Sequence, residues 1–125
     1  MILGTGIDLV EIQRIRDALQ RHGPSFATRI LTAAEWDYCS VHADPAPCVA
    51  ARFAAKEAVS KAMGLGIGTA LGWHDIEIVR LSSGQPSVHL SEAGKRELLR
   101  LGGRTIHVSL THERGHAAAI AILEN

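Results

Sequence analysis

Aromatic side chains make up only 4% of this 125-residue chain, and no apolar run approaches the roughly 18 residues that a membrane-spanning helix needs. Net charge is also missing. Thirteen basic residues balance thirteen acidic ones, which excludes a general attraction to nucleic acid or to a membrane surface and leaves charge-guided partners to local patches. Cysteine is nearly absent. Two thiols, Cys39 and Cys48, in a chain whose start "MILGTGIDLVEI" lacks the basic opening of an export signal, predict reduced, partly buried groups and not a disulfide framework. Forcing Cys39-x2-His42-x5-Cys48 into a zinc site matches no standard knuckle and leaves the fourth ligand unfilled. No linker, repeat or low-complexity tract divides the chain. One soluble, cytoplasmic domain over residues 1–125 is expected.

What is present is ordinary globular material, 46% hydrophobic and 21% charged. Residues 2–7, "ILGTGI", read as a buried strand on which something packs closely at Gly4 and Gly6, with Asp8 ending it. Apolar positions Ile12, Ile15 and Leu19 then follow helical spacing until His22-Gly23-Pro24 stops them. Two short helices are expected over 25–42, the second opened by the capping box Thr32-x-x-Glu35. Asp44, followed by Pro45 and Pro47, reads as the N-cap of a long helix that Gly64 closes. Beyond residue 74 the period changes. "DIEIVRL" and "SVHL" flank the turn "SSGQP", "SEAGKRELLRLGG" is a serine-capped helix, and "RTIHVSL" and "HAAAIAIL" flank "HERG". Helices among hairpin-connected strands predict an α+β fold with a largely antiparallel sheet and a long central helix.

That long helix carries the candidate chemistry. At 100° per residue, Ala54, Ala55, Ala58, Val59, Ala62 and Met63 form a small apolar face. Arg52, Lys56, Glu57, Ser60 and Lys61 occupy the opposite arc, with Phe53 among them and in need of cover. Spacing alone allows a solvated Glu57–Lys61 pair. Asp8-Leu9-Val10-Glu11 equally allows a second capping box, or a carboxylate at a strand end where a metal or phosphate is held. Along "TIHVSLTH", His107, Ser109 and Thr111 alternate with apolar residues, so one strand face carries an imidazole and two hydroxyls. Neither "GTGIDL" nor "GLGIG" completes a nucleotide loop, so side-chain cations and a metal must hold any phosphate.

Three stretches in register, "GTGIDLVEIQRI" (4–15), "RFAAKEAVSKAMGLGIG" (52–68) and "HVSLTH" (107–112), resemble the holo-acyl-carrier-protein synthases, small bacterial 4′-phosphopantetheinyl transferases, over essentially the whole chain. The resemblance implies that the 4′-phosphopantetheine arm of coenzyme A moves to a serine of an apo acyl carrier protein in fatty-acid synthesis, releasing adenosine 3′,5′-bisphosphate. It implies Mg²⁺ on Asp8 and Glu57, with Glu57, Lys61 and His107 as the catalytic set. The serine proton goes to Glu57 or to a water of the metal, alternatives the residues leave open.

For coenzyme A the resemblance implies Arg52, Lys61, Gly64, Pro86, His107, Ser109 and Thr111. It also implies a homotrimer with sites between subunits, the polar arc and Phe53 facing a shared cleft. The acidic carrier would dock on Arg14 and Arg21; Arg14, Arg16, Arg21 and Arg29 face only Asp17 across residues 12–30, and an intrahelical network through Asp17 is the competing reading. In one respect the chain departs from the family. "ADPAPCVAA" has none of the basic residues that often precede the long helix, so the coenzyme's 3′-phosphate falls to Arg52 or His107. A non-catalytic module binding a nucleotide or an acidic partner is the alternative function.

Overall fold

The computed structural model describes residues 1–125. Strand β1 (Ile2–Glu11) leads into helices α1 (Ile12–His22), α2 (Pro24–Ile30), α3 (Ala33–Ser40) and the long α4 (Ala46–Ala62). A 3₁₀ turn, Trp73–Asp75, precedes the hairpin β2 (Ile76–Arg80) and β3 (Pro86–Leu90). Helix α5 (Glu92–Arg100) and the hairpin β4 (Thr105–His112) and β5 (His116–Glu124) complete the chain. All strand pairs are antiparallel, in a three-stranded sheet ordered β1-β5-β4 and a two-stranded sheet β2-β3. The expected α+β fold around a central helix is what forms.

Helix α4 lies directly on β1 and β5 because both surfaces are small. A Cβ added at Gly4 would run into the carbonyl oxygen of Ala62, and one at Gly6 into that of Ala58. Ala54, Ala55, Ala58 and Val59 of the helix and Ala117, Ala119 and Ala121 of β5 are buried in one core. The glycines expected to admit a close neighbour therefore admit the α4 backbone itself.

Local signals hold at several termini. Thr32 and Glu35 form the capping box of α3, and Gly64, at φ 69°, follows α4 as its left-handed stop. Ser91 caps α5 by accepting a hydrogen bond from the Gly94 N–H at 3.1 Å. Others fail. Asp8 neither ends β1 nor caps α1: the ladder with β5 runs on through Asp8↔Ala119 to Glu11↔His116, and α1 begins at Ile12 without a side-chain cap. β1 is also half-exposed, not buried, since only one of its faces meets α4. Asp44 acts one residue earlier than expected, its Oδ1 accepting from the Ala46 N–H at 3.2 Å while Pro45 occupies the cap.

The expected free thiols are a correction. The end of α3 and the start of α4 pack side by side, bringing the Cα atoms of Cys39 and Cys48 to 5.5 Å, and the two sulfurs are bonded. Sequence spacing carries no signal of that juxtaposition. No helix is long and apolar enough to cross a membrane.

Candidate active site

Asp8, Glu57 and Lys61 come together where the C-terminal half of α4 crosses β1. Lys61 Nζ donates to Asp8 Oδ1 at 3.0 Å and to the Ile7 carbonyl at 2.9 Å. The anticipated Glu57–Lys61 pair is thus replaced by a bond across the helix–strand contact. Glu57, one turn before Lys61, is half-buried. Burial first, and the charge of Asp8 second, raise its carboxyl above the usual carboxylate range, with Lys61 opposing them. Two carboxylates whose charges repel each other in a partly desolvated corner have the hard-oxygen chemistry of a magnesium site. No third acidic, histidine or cysteine side chain joins them in a closed cage.

Most of the supposed polar arc faces the protein interior. Lys56 is fully buried, its Nζ bonded to Glu35 Oε1 at 2.7 Å and donating to the carbonyls of Ile30 at 2.8 Å and Trp73 at 2.9 Å. Glu35 in turn accepts from the N–H groups of Thr32 and Ile78, both at 2.8 Å. Burial holds the Lys56 ammonium below its usual range, with Glu35 countering. Ser60 is buried and bonds back to the Glu57 carbonyl. Phe53 packs against Trp73, ring centroids 5.1 Å apart, so α2, α3 and the 3₁₀ turn cover this arc. Of the expected arc, Lys56, Ser60 and Phe53 are thus turned to the protein's own interior, and Glu57 and Lys61 remain at its surface.

Arg52 is buried as well, but beside open space. With Pro86 and Ser109 it lines a cleft of about 220 Å³ between the β2–β3 hairpin and β4. With Thr111 and His112 it lines an adjoining one of about 310 Å³. The structure therefore gathers Arg52, Pro86, Ser109 and Thr111. His107 is elsewhere: its Nε2 lies 2.7 Å from Glu124 Oε1, opposite Ile122 and outside both clefts. Glu124 is held below the usual carboxylate range by that partner. The histidines of the second cleft are His42 and His112, the latter passed over by the alternation of β4 because it follows Thr111 directly. Gly64 is exposed at the end of α4, on the Lys61 side.

On α1, Arg14 and Arg21 are exposed, two turns apart, and free of ion pairs. The competing network through Asp17 does not form with them, because Asp17 accepts from Gln13 at 2.8 Å and Arg16 turns to Asp44 at 2.7 Å.

Residues 4–121 match the 4′-phosphopantetheinyl transferase superfamily. The chain belongs to that superfamily. A holo-[acyl-carrier-protein] synthase of Koribacter versatilis is 45% identical to the transferase over 125 residues, all of both chains. The crystal structure of holo-[acyl-carrier-protein] synthase from Neisseria meningitidis matches all of both chains at 34% identity with a TM-score of 0.93. That of the Helicobacter pylori protein, in complex with coenzyme A, covers 96% of the transferase and 99% of its own chain at 32% identity and a TM-score of 0.86. The transferase is an enzyme whose single α+β domain is the fold of these synthases.

Proposed function

We propose that this transferase moves the 4′-phosphopantetheine group of coenzyme A to a serine of apo acyl carrier protein in fatty-acid synthesis, in the cytoplasm. The observation that carries the reading is the meeting of Asp8, Glu57 and Lys61 at the contact of α4 with β1. Relatives that share the whole chain length are named for this reaction, and one is solved with the coenzyme bound.

Asp8 and Glu57 would hold magnesium, which supplies charge neutralisation to the diphosphate. Lys61, whose ammonium is half-exposed, exchanges its Asp8 contact for an oxygen of the phosphoryl group that is transferred. The serine oxygen attacks the phosphorus bearing the pantetheine arm. A new P–O bond forms to serine, the bond to adenosine 3′,5′-bisphosphate breaks, and the hydroxyl proton passes to a base at the Asp8–Glu57 pair, Glu57 itself or a water beside it.

The site takes its second wall from another copy of the chain. Ile7 and Leu9 on β1 are each 68% exposed, and Ile120, paired with Ile7 across the sheet, is 42% exposed. This apolar strip lies on the face that α4 does not cover, and a second copy packed against it would shield it, as a homotrimer requires. The neighbouring subunit would then bring Arg52, Pro86, Ser109 and Thr111 to the adenosine end of the coenzyme. Exposed Arg14 and Arg21 receive the acidic carrier.

Incubating the protein with coenzyme A, Mg²⁺ and apo carrier, then weighing the carrier by mass spectrometry, tests the reading. A phosphopantetheine mass gain on serine is expected. No gain with several carriers, alongside retained carrier binding, would leave a binding module instead.

A further inference from the structure

The bond between Cys39 and Cys48 joins two sulfurs in unlike surroundings. Cys39, in the last turn of α3, is fully buried among the apolar side chains of the core. Cys48, in the first turn of α4, is half-buried and lines the cleft of about 310 Å³. An incoming thiol can therefore reach Cys48 Sγ from the cleft, whereas Cys39 Sγ is reached only by opening the core. Two features would stabilise a negative charge on Cys48 once the bond is broken. Arg52, one turn along α4, donates from Nη1 to Cys48 Sγ at 3.3 Å. The first turn also sets the sulfur at the positive end of a 17-residue helix. No nearby acid cancels this. Of the groups facing the cleft, Arg80 adds a second cation, His42 and His112 carry no negative charge, and Asp44 is paired with Arg16 at 2.7 Å. Glu35, below it, is taken by Lys56. Cys39 has the opposite setting, at the negative end of its helix and without water, which disfavours its thiolate.

We propose that Cys39 and Cys48 form a reversible thiol–disulfide exchange site, in which Cys48 is the sulfur that attacks and is attacked, and Cys39 closes or opens the bond from beneath. In the cytoplasm a protein disulfide is generally transient, which fits a bond made for exchange better than one made to staple the fold. The oxidant is a low-molecular-weight disulfide. Cys48 thiolate attacks one of its sulfurs, a mixed disulfide forms, and the other half leaves as thiolate. Cys39 gives its proton to that thiolate and attacks Cys48 Sγ, so that the protein bond forms and the second half leaves. Two protein thiols are oxidised and one small disulfide is reduced to two thiols; a small thiol attacking Cys48 runs the sequence backwards. Exchange also changes what Arg52 can hold, a consequence that rests on the transferase reading, which gives Arg52 to the coenzyme. Arg52 forms no ion pair with a carboxylate, and its Nε is buried without an acceptor. A thiolate at Cys48 supplies the missing anion and competes with a coenzyme phosphate. Closing the disulfide removes that charge and leaves the guanidinium to the ligand.

The first test alkylates the unaltered protein, reduced with dithiothreitol, with iodoacetamide near neutral pH and locates the label by peptide mass spectrometry. Cys48 should label about tenfold faster than Cys39 or more. Equal rates, or faster labelling of Cys39, would overturn the assignment. Oxidised glutathione added to the reduced protein should then restore the Cys39–Cys48 bond, while Cys39→Ser stops at a glutathione adduct on Cys48 and Cys48→Ser collects none. An adduct on Cys39 in Cys48→Ser, or an unaltered protein that keeps both thiols, would overturn the site. Calorimetry reads the consequence for Arg52. Coenzyme A should bind the oxidised protein about threefold more tightly than the reduced one, and Cys48→Ser should bind it equally with and without reductant. Equal affinity of the oxidised and reduced forms would overturn the link to Arg52. A protein that passes the first two tests and binds no coenzyme would sink the transferase reading alone and uphold the exchange site.

Discussion

Lys56 and Lys61 leave the same helix five residues apart, roughly 140° around its axis, yet they live in different media. Lys56 has no exposed side-chain surface and spends all three ammonium donors on Glu35 and two carbonyls from α2 and the 3₁₀ turn. Lys61 leaves 52% of its side chain in solvent and holds only Asp8 and one carbonyl. A buried charge whose every hydrogen bond is met fixes elements in place and cannot be given to a ligand without unpairing its partner. An exposed ammonium beside a carboxylate can exchange that partner for a phosphate at little cost. One face of α4 thus locks the fold, and the other is free to act.

The sharpest way to break this contrast is to remove each lysine. Lys56→Ala strands Glu35 in the interior and should cost about 3–5 kcal/mol in urea unfolding. A loss below about 1 kcal/mol would mean that Lys56 is no lock. Lys61→Ala should lower kcat for carrier modification about 100-fold while unfolding within about 1 kcal/mol of the parent. Comparable transfer rates would remove Lys61 from the chemistry.

Arg14→Glu should raise the KM for carrier about tenfold, more at low salt, and leave the KM for coenzyme A unchanged. Equal effects on both would make Arg14 structural. The smallest effect concerns Glu57. A carboxyl raised above its ordinary value of 4.5 favours the folded state when protonated, and that contribution disappears as pH rises through the raised value. Glu57→Gln should therefore melt slightly higher than the parent near neutral pH without magnesium, and the two should converge below pH 4.5. A lower melting temperature for the variant at neutral pH would contradict the crowding of Glu57 by burial and Asp8.

Features set by neighbours in sequence are legible in the sequence itself. Thr32 and Glu35, Ser91, Gly64 and both hairpins depend on hydrogen bonds that span a few residues, and Gly4 and Gly6 announced a close approach simply by lacking Cβ. Features set by distant partners were not. The spacing of Asp8 and Glu11 satisfies a capping box, but the ladder to β5 offers the same backbone more bonds and prevails. A helical wheel sets Lys56 and Lys61 apart in angle but does not say which is buried, because burial of the polar arc depends on α2, α3 and the 3₁₀ turn folding over it. The Cys39–Cys48 bond and the presence of His42 and His112, not His107, at the clefts likewise follow from packing and strand register. Asp8, Glu57 and Lys61 emerged from resemblance, and the contact between α4 and β1 supplies their physical connection.

The most direct trial is Mg²⁺-dependent transfer by Asp8→Ala and Glu57→Ala, measured by carrier mass gain beside their melting temperatures. Joint use of the two carboxylates predicts that each substitution abolishes transfer at every magnesium concentration while the protein stays folded, and that the double variant is no worse than either. Undiminished magnesium-dependent transfer in either single variant would contradict it.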